Sequence, residues 1–215
     1  MSNFCAFTNM VTDFLKSSGI SIEIVSNLHD TSLNDSNKSE INYVYKGDKD
    51  LVVIDMDLIA KDGYRIIKHA SGKDNIINTV DAFIINKANE WFFIEFKDSE
   101  IKTDNSGLKN NVIKKAYSNW YMLLDILYFM AGNSSFYHQF SLENPIKFAK
   151  EHIYYILVCS TEKNPLIYKQ IKNHELIGEK YTPPFMQRLK DYMFKDAYVY
   201  TESFLERKFV KTFIY

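Results

Sequence analysis

The chain has 215 residues, 46% hydrophobic and 25% charged, with only 7 Gly and 4 Pro. A chain of that length buries roughly 70% of its unfolded surface, and the composition excludes wholesale disorder, collagen-like repeats and a loop-dominated fold. The net charge of −1, from 26 basic and 27 acidic residues, excludes a surface that is all polycation for nucleic acid or membrane, but not a local basic cleft.

Two cysteines, Cys5 and Cys159, cannot form a metal-ligand quartet by themselves, and a reduced setting is expected for them. Residues 1–20 have no basic start and contain Asp13, unlike a secretory leader. The apolar stretch Trp120–Ala131 contains Asp125 and is too short to span a bilayer. The expectation is a cytoplasmic protein without a membrane partner.

Apolar spacing in residues 4–17 predicts an amphipathic helix that ends at Ser17-Ser18-Gly19. The polar run 26–40 predicts a long surface loop, and Ile41–Tyr45 a short strand. Val52–Ile54 reads either as a strand or as the start of a helix capped near Asp55 or Asp57 and running to about His69, with Gly63 as its weak point. Ile76–Ile85 and Trp91–Lys97, separated by NKANE, predict a hairpin with both faces apolar, which belongs in the middle of a covered sheet. A long helix over about Leu108–Met130 follows, with Ile113, Ala116, Trp120, Leu124 and Leu127 on one face. His152–Ser160 predicts a buried strand. A helix near Phe185–Tyr192, a strand at Ala197–Tyr200 and a helix from about Glu202 complete the chain. This order predicts an α/β fold: a mixed central sheet flanked by helices.

Three charged residues, Asp81, Glu95 and Lys97, interrupt the apolar hairpin VDAFIINKANEWFFIEFKD. Residues i and i+2 share a strand face, so Glu95 and Lys97 point one way and Phe96 the other. A turn centred on Ala88 sets Asp81 across from Glu95, at a Cβ separation of about 4.5–5.5 Å; a one-residue slip would undo this. Two carboxylates so close in an apolar sheet need a shared proton or a cation. A hard divalent ion, Mg²⁺ or Mn²⁺, meets that need and leaves the site attractive to phosphate.

On these residues the chain resembles the PD-(D/E)XK nuclease superfamily, whose pattern is an Asp at the start of one strand, Glu/Asp-x-Lys on the next, then a helix. Here the pattern falls on Asp81, then Glu95-Phe96-Lys97, then the helix near 108–130, and the resemblance spans Ile76 to Ser160. It implies a restriction-endonuclease-like αβββαβ core within a single domain over 1–215, with the core at about 50–161 and a C-terminal extension at 162–215. It also implies metal-dependent hydrolysis of DNA or RNA phosphodiesters. Asp81, Glu95 and the backbone carbonyl of Phe96 would be metal ligands, and Lys97 would assist the nucleophile. Val80 stands where the family name has Pro. The further acid that many members carry upstream has three candidates, Glu40, Asp55 and Asp57, besides Asp13 on the first helix.

Glu-x-Lys alone carries no information, because Glu100-Ile101-Lys102 matches it and Glu206-Arg207-Lys208 has the same pattern. The apolar strand around Glu95 and the facing Asp81 set 95–97 apart. The plain alternative is an ion pair of Glu95 with Lys97 on a sheet face. A catalytically inactive nuclease-fold protein that binds nucleic acid or protein is the alternative function. Lys109, Lys114 and Lys115 read as a solvated helix face, and the five histidines show no paired zinc spacing.

Overall fold

The structure is a computed structural model that describes residues 2–34, 41–47, 49–72, 76–101, 106–129, 140 and 142–214. Six strands form one mixed sheet in sequence order: β1 (Val25–Asn27), β2 (Val52–Asp55), β3 (Ala82–Ile85), β4 (Trp91–Lys97), β5 (Ile153–Cys159) and β6 (Asp196–Thr201). The first four pair antiparallel; β4, β5 and β6 pair parallel. The α/β expectation of a mixed sheet with helices packed on it therefore holds.

Helix α1 (Asn3–Ser17) precedes the sheet, with the Ser2 hydroxyl accepting the Cys5 N–H as its N-cap. Its Phe7 meets Phe83 and Trp91 edge-on, both centroids at 5.2 Å. At Val52 the sequence allowed a strand or a helix start, and the chain makes both. After β2, the Asp55 carboxylate accepts the Leu58 N–H at 2.8 Å and starts a helical stretch, α2, built from Met56–Leu58, a π-helical Ile59–Tyr64 and Arg65–Ile67. Gly63 is tolerated there because α1 passes close by: a Cβ at Gly63 would lie 3.2 Å from Leu15 Cδ2.

The β3–β4 register follows from its turn. The Asn86 side chain accepts the N–H groups of Ala88 and Glu90, each at 2.9 Å, and Asn89 takes φ +58°, a conformation that Asn tolerates. This fixes Ile85↔Trp91 through Ala82↔Ile94, the pairing that a turn centred on Ala88 requires. The strand is shorter than Ile76–Ile85. Its neighbour β2 turns into α2 after Asp55, with the Met56 N–H bonded to the Asp81 carbonyl, so residues 76–80 have no β2 ladder to join, and on the β4 side the Phe96 N–H is taken by the Asp81 carboxylate. Ile41–Tyr45 is not a strand either: only an isolated bridge, Leu33↔Tyr43, forms there.

Helix α3 (Ser106–Phe129) is the crossover that makes β5 parallel to β4. Its buried arc contains Val112, Ala116, Trp120, Met122, Leu123, Ile126 and Leu127, and also Asn119. Ile113 and Leu124, assigned to the buried face from sequence, lie at its margin. Met130 lies outside the described residues. Helix α4 (Pro145–His152) and helix α5 (Pro165–Leu176) were not anticipated. Both follow an Asn with Pro at the first turn, a start signal that was present in the sequence. The helix expected near Phe185–Tyr192 is reduced to a π-helical Leu189–Met193. A last helical stretch, α6 (Glu202–Leu205, π-helical Glu206–Val210, Lys211–Ile214), packs Phe209 and Phe213 on Phe92. Among the described residues no helix is long and apolar enough to cross a membrane.

Candidate functional site

The sheet face under α3 carries Phe93, Glu95 and Lys97 of β4 and Tyr155 and Leu157 of β5, since register partners share a face. Asp81 lies one residue before β3, its N–H bonded to the Ile94 carbonyl at 3.1 Å. The Asp81 Oδ2 accepts the Phe96 N–H at 2.5 Å, where a longer β3 would have offered a ladder carbonyl. The N–H and C=O of a ladder residue point to the same side, so the Phe96 carbonyl also faces this edge.

Lys115 of α3 joins the two acids. Its Nζ lies 2.8 Å from Glu95 Oε2 and 3.4 Å from Asp81 Oδ1. Asp81 and Glu95 therefore converge on one cation, although the β3–β4 ladder itself ends one pair earlier, at Ala82↔Ile94. That cation is a lysine taken from sequence as part of a solvated helix face, and this expectation is corrected here: Lys115 is only 17% exposed. The alternative ion pair of Glu95 with Lys97 does not form among the described residues. Lys97 is half-buried, two positions beyond Glu95 on the same face. Lys114 is exposed, and the side chains of Lys109 and Lys102 lie outside those described.

With Asp57 nearby, the four charged groups here do not balance. Burial pushes the Asp81 carboxyl up to about 6, against the pull of the Lys115 ammonium, and the negative charge of Asp57 adds to the rise. Burial also raises Glu95 well above the usual carboxylate range, with the Asp81 charge next in effect. Burial works to lower Lys115, but the charges of Asp81, Glu95 and Asp57 outweigh it, so its ammonium is held more tightly than usual. One ammonium faces three carboxylates, and the surplus is negative.

Asp57 is the third acid of this group, fixed by the Thr79 hydroxyl donating at 2.6 Å. Asp55, the other candidate in that segment, is committed to capping α2, although burial raises it too. Both line a cleft of about 480 Å³ with Lys61, Asn78, Thr79 and Lys115. Asp13 is exposed on α1, and Glu40 lies outside the described residues.

The donor set suits a hard cation. Lys115 Nζ stands where such an ion would meet Glu95 and Asp81, and the Phe96 carbonyl points to the same edge. As the chain stands, no group of three His, Cys, Asp or Glu side chains is gathered closely enough to hold a metal among the described residues. The lysine fills the position between the carboxylates.

No family model, no curated protein and no solved structure matches this chain.

Proposed function

We propose that the chain is a metal-dependent nuclease that hydrolyses DNA or RNA phosphodiester bonds. The observation that supports this most directly is the convergence of Asp81 and Glu95, from adjacent segments of a buried sheet, on the ammonium of Lys115, which itself lines a cleft with Asp55, Asp57 and Lys61. With β1, α2 and α4 set aside as insertions, the remaining order α1, β2–β4, α3 and β5 parallel to β4 follows the αβββαβ core that the PD-(D/E)XK resemblance implies.

In this reading Asp81, Glu95 and the Phe96 carbonyl would hold Mg²⁺ or Mn²⁺, and Asp57 would add charge on the cleft side. A bound divalent ion lowers the pKa of a water and stabilises charge developing on phosphorus. The chain's own residues supply the rest. The Lys97 ammonium, on the Glu95 face, holds transition-state charge or orients the attacking water. Lys61 and Lys115 line the cleft and attract phosphate. Holding such an ion would require Lys115 to give up its contact with Glu95, and its ammonium, which lines the cleft, would then serve as a phosphate ligand.

A second reading rests on that same contact. If Lys115 holds its place permanently, the protein is a catalytically inactive nuclease-fold module whose internal lysine replaces the metal. A cleavage assay on DNA and RNA in Mn²⁺ separates the two. The nuclease reading expects cleavage by wild type and none by Asp81→Asn. Equal, background-level products from both proteins support the inactive module.

A further inference from the structure

Two residues lie deeper than the acids with side-chain polar atoms that have no hydrogen-bond partner among the described residues. Asn119 is fully buried, and neither its amide nitrogen nor its carbonyl oxygen has a hydrogen-bond partner among the described residues. The Tyr155 hydroxyl is in the same position on a fully buried side chain. An orphaned buried donor or acceptor forfeits its hydration without recompense, so two such residues in one region need an explanation.

They share a place in the fold. Asn119 lies one helical turn beyond Lys115 on α3, and residues four apart lie on one helix face. Its neighbour Trp120 sits over Phe93, ring centroids at 6.5 Å. Phe93 is the register partner of Tyr155, and Glu95 follows two residues along the same face. Asn119 and Tyr155 thus sit at one level of the helix–sheet interface, the next level inward from Lys115 and Glu95. The Tyr155 hydroxyl also feels the acids: burial first, then the charges of Glu95 and Asp81, raise it well above the usual tyrosine range.

We propose that Asn119 and Tyr155 line an internal water site behind Glu95, and that both are positioning residues holding that carboxylate through bound water. A buried water typically makes about three hydrogen bonds. The Asn119 amide offers both donors and an acceptor, and the Tyr155 hydroxyl offers one donor and an acceptor. The chemistry selects water over an apolar occupant, because every orphaned atom here is polar. Water in this place ties Glu95 to α3 from within, while Lys115 ties it from the cleft side. The water site stands on the buried orphan groups alone; its role in positioning rests on the metal-site reading above.

The test combines a high-resolution crystal structure with melting and Mn²⁺ titration of wild type, Tyr155→Phe and Asn119→Leu. The expected structure shows ordered density between Asn119 and Tyr155. Both variants then melt several degrees lower, because each strips a bridged water of a partner. Their Mn²⁺ affinity should weaken about tenfold to a hundredfold, as is usual when groups behind metal ligands are removed. Variants that melt at or above wild type, with no density at the site, overturn the proposal, since deleting a truly orphaned polar group stabilises a core. Density with unchanged Mn²⁺ affinity in both variants overturns the positioning role. If wild type binds no Mn²⁺ but the density and the melting losses are present, the water site stands and the metal reading fails.

Discussion

Lys115 Nζ and Glu95 Oε2, from a helix and a strand 20 positions apart in the chain, lie 2.8 Å apart with Glu95 only 3% exposed. The contact explains how an apolar sheet tolerates two carboxylates. Without it, Asp81 and Glu95 would repel each other in a medium that screens charge poorly.

Removing that ammonium should therefore be costly. Truncating one partner of a buried ion pair typically destabilises by about 3–5 kcal/mol, because the other charge is left uncompensated. For a chain of this size each kcal/mol is worth roughly 2–4 °C. Lys115→Ala should melt on the order of 10 °C below wild type in a metal chelator, while Lys114→Ala, at an exposed position, should stay close to wild type. Millimolar Mn²⁺ should restore a large part of the loss in Lys115→Ala, since the ion takes the place left by the ammonium. A Lys115→Ala protein as stable as wild type in chelator would remove the ion pair from the account.

The charge surplus has a pH signature. Asp81 titrates at about 6 in the folded chain, above the unfolded value of roughly 3.9. The folded state then binds this proton more tightly than the unfolded one, so the Asp81 contribution to stability falls as pH rises between about 4 and about 6. Asp81→Asn lacks this proton and this loss. In chelator, denaturant titrations should show wild type losing stability relative to Asp81→Asn across that window. A difference that moves the other way would mean that Lys115 more than offsets the burial of Asp81.

Lys97→Ala should abolish cleavage and leave the melting temperature nearly unchanged, because the expected loss is of transition-state stabilisation rather than packing. Lys102→Ala, in the second Glu-x-Lys, should cleave normally. Equal losses at both positions would show that general phosphate binding is being measured.

The hairpin was legible in the sequence because its information is local. Two apolar runs, the NKANE turn between them and the Asn86 side chain fix the register without help from the rest of the chain. The role of Lys115 was not legible, because it depends on how α3 is rotated over the sheet. Choosing the helix face by apolar residues alone placed Ile113 and Leu124 in the core and Lys115 outside it. The observed arc admits Lys115 and Asn119, since buried carboxylates and polar groups lie beneath them. A lysine one turn before an asparagine, inside an otherwise apolar arc, was the available signal. Asp57 was separable from Asp55 only once the cap at Leu58 was seen. The early end of β3 depended on where its neighbour β2 turned away.

If Asp81 and Glu95 form a divalent-cation site, a thermal titration with Mn²⁺ reveals it without knowledge of the substrate. Binding to the native state alone adds RT ln(1 + [L]/Kd), about 2.7 kcal/mol at a hundredfold excess over Kd, which is several degrees in a chain of this length. Wild type should gain several degrees by millimolar Mn²⁺, while Asp81→Asn and Glu95→Gln gain little. A wild-type melting temperature that stays flat to millimolar Mn²⁺, matching both variants, would contradict the account and leave Lys115 as the permanent occupant of the site.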